Sequence, residues 1–298
     1  MNPFFDLLAG TLTQGLIYAL VSFGIYITYR ILDFPDLTVD GSFPLGAAVT
    51  AVLLTRGADP FLTLPAAMLV GAVSGLCTGL IHVKIGVRDL LSSIITMTAL
   101  FSINLQIAGS NLTVDRSIAT IFTSSPVTAV LGGTSLLVRK LIVSFAIVLL
   151  LKLLLDAYFR TKSGLMLTAV GDNETLVTSL AVDKGRIKIL GLVLANAFVA
   201  LSGALVCHET RSFSATMGTG QMVFGLASVI IGTTLFRKLS FVRGTTAVIV
   251  GSILYKACIQ AAISLGLPAN LLKLITAVLF LFILMLGAAR EKGGAQHA

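Results

Sequence analysis

Nine apolar runs of 14 to 21 residues follow one another almost from end to end of the chain, each bounded by charge or proline. Backbone in hydrocarbon has no water to bond, so a segment of this kind must satisfy its N–H and C=O groups internally and coils as a helix. The runs are Thr11 to Tyr29, Gly41 to Leu54, Phe61 to Ile81, Leu90 to Ala108, Val138 to Leu155, Ile187 to Cys207, Gln221 to Phe236, Thr245 to Leu265 and Ala269 to Leu286. Gly41 to Leu54 and Gln221 to Phe236 fall short of the roughly 20 residues that cross a bilayer core, and the second follows a segment rich in Gly, Ser and Thr. They are expected to be broken or half-membrane helices. Only 11% of the 298 residues are charged, against about 25% in a soluble domain, too few to clothe a globule of this size. The expected fold is therefore an all-α polytopic membrane protein, one transmembrane domain over residues 1–298 with about nine helices, within a range of eight to ten.

The net charge of +8 is first a topology signal, and nucleic acid comes far behind. If the charged segment 160–188 is cytoplasmic, that side collects about 14 of the 21 Lys and Arg residues, and the outer side keeps Arg56, Arg116, Arg139, Lys140 and Arg211. The C-terminus is then cytoplasmic and, with nine crossings, the N-terminus external. No basic residue precedes Arg30, so the first run reads as a retained span rather than a cleaved leader. The polar stretch 109–137 is the main external loop, and its roughly 29 residues are too few for a solute-binding domain. A high-affinity receptor must be another polypeptide.

Catalytic signatures are missing. The sequence has no phosphate-binding G-x-x-x-x-G-K-[ST], no H-E-x-x-H and no G-x-S-x-G, and Gly218-Thr219-Gly220 lacks the third glycine of a dinucleotide loop. No cofactor is expected on this chain. Cys77, Cys207 and Cys258 lie far apart and read as small apolar residues buried in helix packing. His82, His208 and His297 are isolated, which suggests loop or interface positions rather than a metal site. With no tryptophan, interfacial anchoring falls to tyrosine, phenylalanine and long basic side chains. Gly71, Gly75 and Gly79 repeat every four residues, a spacing that presents one flat helix face to a neighbouring backbone.

Polar groups inside spans are costly and usually face a cavity or a protein partner, so they are the candidates for a translocation path. These are Asp36, Asp40 and Ser42 around the first short run, Asn104 in the fourth, Asn196 in the sixth, Ser228 in the seventh and Lys256 in the eighth. Lys256 lies about 13 residues past Arg243, roughly 20 Å along a helix, where it either snorkels to the outer interface, pairs across subunits or lines a path. Asp36 and Asp40 belong either to a cytoplasmic turn or to irregular chain beside a pore. In the cytoplasmic segment, Gly171 breaks one helical run, Asp172 or Asn173 caps the next, and Glu174 opens a short amphipathic helix to about Leu180.

The stretch "GDNETLVTSLAVDKGRIKILGLVLANAFVALSGAL", followed by "MGTGQMVFGLASVIIGTTLF", resembles the permeases of the branched-chain amino acid and ribose type of ABC importer. The N-terminal "GLIYALVSFGIYITYRILDFPDLTVDGSFPLGAAV" is similar to the same family's first span and its D-L-[ST]-V-G-S segment, with Asp40 inserted before Gly41. Ala181-Val182-Asp183 and Gly232-Thr233-Thr234 depart from the usual A-G-I and G-G-T. More narrowly, "DLTVDGSFPLGAAV" resembles a bacterial subgroup assigned to uptake of tryptophan or tyrosine. The resemblance implies a second permease subunit, by expectation an identical copy, together with two cytoplasmic ATPase subunits that carry the ATP and Mg and an external solute-binding protein. It also implies that Gly171, Asp172, Asn173, Glu174 and the helix through Leu180 form the joint with the ATPase. A secondary transporter is the alternative, and an intramembrane enzyme a more distant one.

Overall fold

A computed structural model describes residues 3–172, 183–237, 239, 242–264 and positions 274, 277, 278, 281 and 285. Six of its helices are long and apolar enough to cross a membrane, and two apolar helices are shorter. In chain order the elements are α1 (Pro3–Ile25, continued by a π-helical turn Tyr26–Ile31), α2 (Val39–Thr55), α3 (Pro60–Ile85), α4 (Asp89–Ala108), β1 (Asn111–Thr113), α5 (Ser125–Leu131), α6 (Leu136–Tyr158), α7 (Lys162–Asp172), α8 (Lys184–Thr210), β2 (Ser212–Ser214), α9 (Gln221–Leu235) and α10 (Gly244–Ser264). The two short runs of the sequence are α2 and α9, of 17 and 15 residues, or roughly 25 and 22 Å of helix against a core of about 30 Å. The ninth run, Ala269 to Leu286, falls mostly outside the described residues.

Helix ends are set by local chemistry. Asp59 caps α3 by accepting the Phe61 N–H at 2.8 Å, with Pro60 at the first helical position, and Gly86 closes the helix at φ 79°. Asp183 caps α8 through the N–H groups of Gly185 and Arg186, and Ser135 caps α6 through Val138. The stretch 109–137, expected as a loop, holds a strand and a short helix: β1 pairs antiparallel with β2 in the register Asn111 to Ser214. Arg211 Nη1 locks this ribbon by donating to the carbonyls of Asp115 and Ile118 at 2.8 and 2.7 Å.

Burial is inverted relative to a soluble protein. α2 and the middle of α8 are buried on all sides, whereas α3, α4 and α6 turn Leu69, Val73, Phe101, Leu150 and Leu153 outward. Only a narrow stripe of α6, Ser144, Val148, Leu151 and Leu155, faces inward. Cys207 is buried as expected, but Cys77 and Cys258 stand on the outer, apolar faces of their helices. In the antiparallel packing of α3 on α8, a Cβ on Gly71 would overlap the Asn196 carbonyl, one on Gly75 the Leu192 carbonyl, and one on Gly79 would lie 3.0 Å from the Ile189 Cα. The helix backbones therefore touch.

Apart from Lys256, which lines a cavity, the described basic residues lie toward the two ends of the bundle. At one end, the π turn after α1 meets α7, where Gly171 abuts the Ile31 carbonyl, and α6 meets the start of α10. At the other lie the β1–β2 ribbon, the Thr63–His208 hydrogen bond of 2.8 Å and the Lys140–Glu209 pair. His208, expected in a loop or interface, is buried at the C-terminal end of α8. Gly171, expected from sequence to end a helical run, lies in the last described turn of α7, and a Cβ on it would overlap the Ile31 carbonyl.

Asp156, near the α7 end, accepts from Lys152 at 3.0 Å, Arg243 at 2.8 Å and the Thr245 hydroxyl at 2.6 Å. Arg243 is half exposed, which discounts its share of the interaction. Asp156→Leu is expected to lower stability by about 1–3 kcal/mol, because it strands Lys152 and Thr245 without their acceptor. Thermal unfolding in detergent should show a larger drop for Asp156→Leu than for Arg243→Gln.

Candidate translocation site

The two short helices begin inside the bundle. After Ile31 the chain turns at Asp33, which takes the left-handed conformation at φ 51°, and runs without helix to Leu37. Asp36 holds this segment in place. Its Oδ1 accepts the Thr38 N–H at 2.9 Å and its Oδ2 accepts Asn196 Nδ2 at 2.8 Å, while Ser42 donates to Asn196 Oδ1 at 2.7 Å. Thr38 and Thr78 share a further hydrogen bond of 2.7 Å. Asp36, Ser42 and Asn196 are all buried, so these three form a closed network that fixes irregular backbone at the centre of the protein.

Asp40 makes the link between the two short helices. It sits in the first turn of α2 and accepts the N–H groups of Gly220 at 3.0 Å and Met222 at 2.8 Å, at the start of α9. A carboxylate there satisfies N–H groups that have no partner within α9 and meets the positive end of its dipole. The approach is close: a Cβ on Gly218 would overlap the Asp40 carbonyl and lie 2.7 Å from Pro44 Cδ. The N-terminal ends of α2 and α9 thus abut, each reached by non-helical chain.

A cavity lies on either side of this junction, and Thr219 borders both. One, of about 270 Å³, is lined by Asp40, Gly41, Met97, Phe101 and Asn104 among others. Asn104 Nδ2 donates to the Gly41 carbonyl at 3.1 Å, leaving its buried Oδ1 without a partner among the described residues. The other, of about 350 Å³, lies between α1, α9 and α10 and is lined by Tyr18, Gln221, Phe224, Tyr255 and Lys256. Lys256 does not snorkel outward; its Nζ lies 3.4 Å from the centre of the Tyr18 ring. Tyr18 in turn is part of a ladder of rings, Phe43, Tyr18, Phe224 and Tyr255, with centroids 5.1–5.7 Å apart. Two tyrosines, Tyr18 and Tyr255, thus stand inside the bundle rather than at the membrane interface expected of this residue type. Ser228 stays apart from both cavities: it bonds the Phe224 carbonyl of its own helix and packs where α9 meets α10.

Of the residues expected to join the ATPase, Gly171 is described at the end of α7; Asn173, Glu174 and Leu180 lie outside the described residues, as does the side chain of Asp172. Sequence reasoning missed the tyrosines and Gln221 of the larger cavity, and read Arg243 and Lys152 as topology markers without their partner Asp156.

A bundle of long apolar helices around two short ones that abut inside it defines a multi-pass membrane protein with a central polar junction. Residues 7–288 match the family described as the branched-chain amino acid transport system / permease component, and the chain belongs to that family. It is 41% identical over 276 residues to the tyrosine transport system permease protein of Clostridioides difficile, covering 93% of this chain and 90% of that one. It is 27% identical to the ribose import permease protein RbsC of Haemophilus influenzae over 84% of this chain and 78% of the relative. The same identity, over 76% of this chain and 73% of the relative, holds for the probable branched-chain amino acid transport permease protein LivH of Methanocaldococcus jannaschii. No solved structure matches the chain.

Proposed function

We propose that this chain is the translocation subunit of an ATP-driven importer that receives an amino acid, most specifically an aromatic one, from an external binding protein. The observation that supports this best is the abutment of α2 and α9 at Asp40 between two cavities. Discontinuous helices whose N-terminal ends meet inside a bundle let irregular backbone face a solute without exposing it to lipid. Two subunits, in our reading identical, enclose the path, and two ATPase subunits dock at the α7 end, which is the cytoplasmic face with the C-terminus in a bacterial inner membrane. The charge bias supports that orientation.

Force has a short route from the docking face to the junction. Gly171 of α7 rests on the Ile31 carbonyl, and Gly191 of α8 rests on the side chains of Leu32 and Leu167. Motion of α7 therefore reaches the segment that carries Asp36 and Asp40. Alternation between outward-open and inward-open packings is a rigid-body exchange of the kind packed interfaces support. This chain performs no chemistry; hydrolysis belongs to the partner. The test is uptake of labelled tyrosine in proteoliposomes with the genomically adjacent ATPase and binding protein. Uptake should require both partners and ATP and persist with protonophore. Uptake by the chain alone, collapsing with protonophore, would instead make it a secondary transporter.

A further inference from the structure

Lys256 is a cation in a membrane span, and its nearest charged-group partner is a ring. Its Nζ lies 3.4 Å from the centre of Tyr18 and 5.2 Å from that of Phe224. Among the described residues no carboxylate lies within salt-bridge distance of it. Glu209 is near enough for its charge to be felt at Lys256, but it lies beyond salt-bridge distance and is paired with the Lys140 ammonium at 3.7 Å. A ring face attracts an ammonium but accepts from it in one direction, and the group has three N–H donors. Donors on a cation at the wall of a cavity are placed to take an anion that enters it.

The rest of that wall is aromatic or apolar. Phe224 and Tyr255 stand edge to face at 5.1 Å, Tyr18 and Phe224 at 5.2 Å, and Ile259 closes the lining. The polar exceptions are Thr219 and Gln221, the latter with its Nε2 already given to the Met217 carbonyl at 2.9 Å. A sugar needs several converging donors and acceptors and brings no negative charge for Lys256. A small solute with a carboxylate at one end and a flat ring at the other matches both halves of the lining. The volume of about 350 Å³ sits at the small end of the usual range for such sites.

We infer that the cavity between α1, α9 and α10 is a solute site in which Lys256 binds the carboxylate of an aromatic amino acid while Tyr18, Phe224 and Tyr255 enclose its ring. This rests on the importer reading and adds a site and a polarity to it. Thr219 and Gly220 border the cavity, and the Gly220 N–H is held by Asp40, so occupancy is felt at the helix junction.

The experiment has two arms. In the first, the purified wild-type chain in detergent is heated with saturating L-tyrosine, L-tryptophan, tyramine, L-leucine or D-ribose. Tyrosine and tryptophan should raise the melting temperature, while tyramine, which lacks the carboxylate, and ribose should leave it unchanged. An equal shift with tyramine or ribose overturns the site. In the second, ATP-dependent uptake is compared for wild type, Lys256→Met and Lys256→Arg in the assembled transporter. Lys256→Met should lose about tenfold to a hundredfold in tyrosine uptake, the loss of one charge-assisted contact, and Lys256→Arg should retain more. ATP-driven tyrosine uptake that is undiminished in Lys256→Met overturns the site and leaves the importer standing. Wild type that moves no solute with its ATPase and receptor overturns the importer reading itself.

Discussion

Alanine at position 40 is expected to cut ATP-dependent uptake by roughly 100-fold, and asparagine by much less. The carboxylate accepts two backbone N–H groups at the start of α9, from Gly220 and Met222. Each is a charge-assisted bond, worth at most about 1.5–3 kcal/mol and less at the exposed Gly220 N–H than at the partly buried Met222 N–H. Alanine removes both acceptors and leaves these N–H groups at the start of α9 without their protein partner. Asparagine keeps one acceptor oxygen and is nearly as good a cap in ordinary helices, but gives up the attraction to the helix dipole. The graded order Asp, Asn, Ala thus separates a capping role from a need for negative charge in the path. Uptake in proteoliposomes, corrected for the amount of folded protein, is the measurement. Unchanged kinetics in Asp40→Ala would show that the junction of the short helices has no part in transport.

The short helices were legible because length is a direct physical quantity: 14 and 16 apolar residues cannot cross about 30 Å of hydrocarbon, and the approaches that hold Pro35 and Gly218-Thr219-Gly220 favour irregular chain. What joins them was not. Asp40 and Gly220 are 180 residues apart, and no local pattern announces that one acidic side chain caps a helix in the other half of the chain. The three-residue strands of the ribbon carry no periodicity at all. Tyr18 and Tyr255 were misread for a different reason. An amphipathic ring suits a membrane interface and a solute cavity equally, and only the packing of α1 against α10 decides between them. Asp156 was overlooked because a charge near a span end reads as an ordinary boundary residue; its three partners come from α6 and the start of α10.

Gly75→Ala is expected to be strongly damaging for a single added methyl, lowering the melting temperature by about 10 °C and reducing the amount of folded chain in the membrane. A Cβ there would overlap the Leu192 carbonyl, which is backbone and cannot rotate away. Either α3 separates from α8 or one of them bends, and in lipid the packing lost is not offset by a hydrophobic gain. The neighbouring positions grade the prediction. At Gly79 the methyl would lie 3.0 Å from the Ile189 Cα, a contact that a small shift relieves, so Gly79→Ala should cost less. Gly133 has nothing within 4 Å and serves as the neutral control. Gly71 adds a functional reading, because its methyl would press on the carbonyl of Asn196, whose side chain holds Asp36 and Ser42. Gly71→Ala should therefore lower uptake per folded molecule as well as stability, whereas Gly75→Ala should act chiefly on the amount of folded protein. Equal melting temperatures for Gly75→Ala and Gly133→Ala would show that α3 and α8 do not touch backbone to backbone.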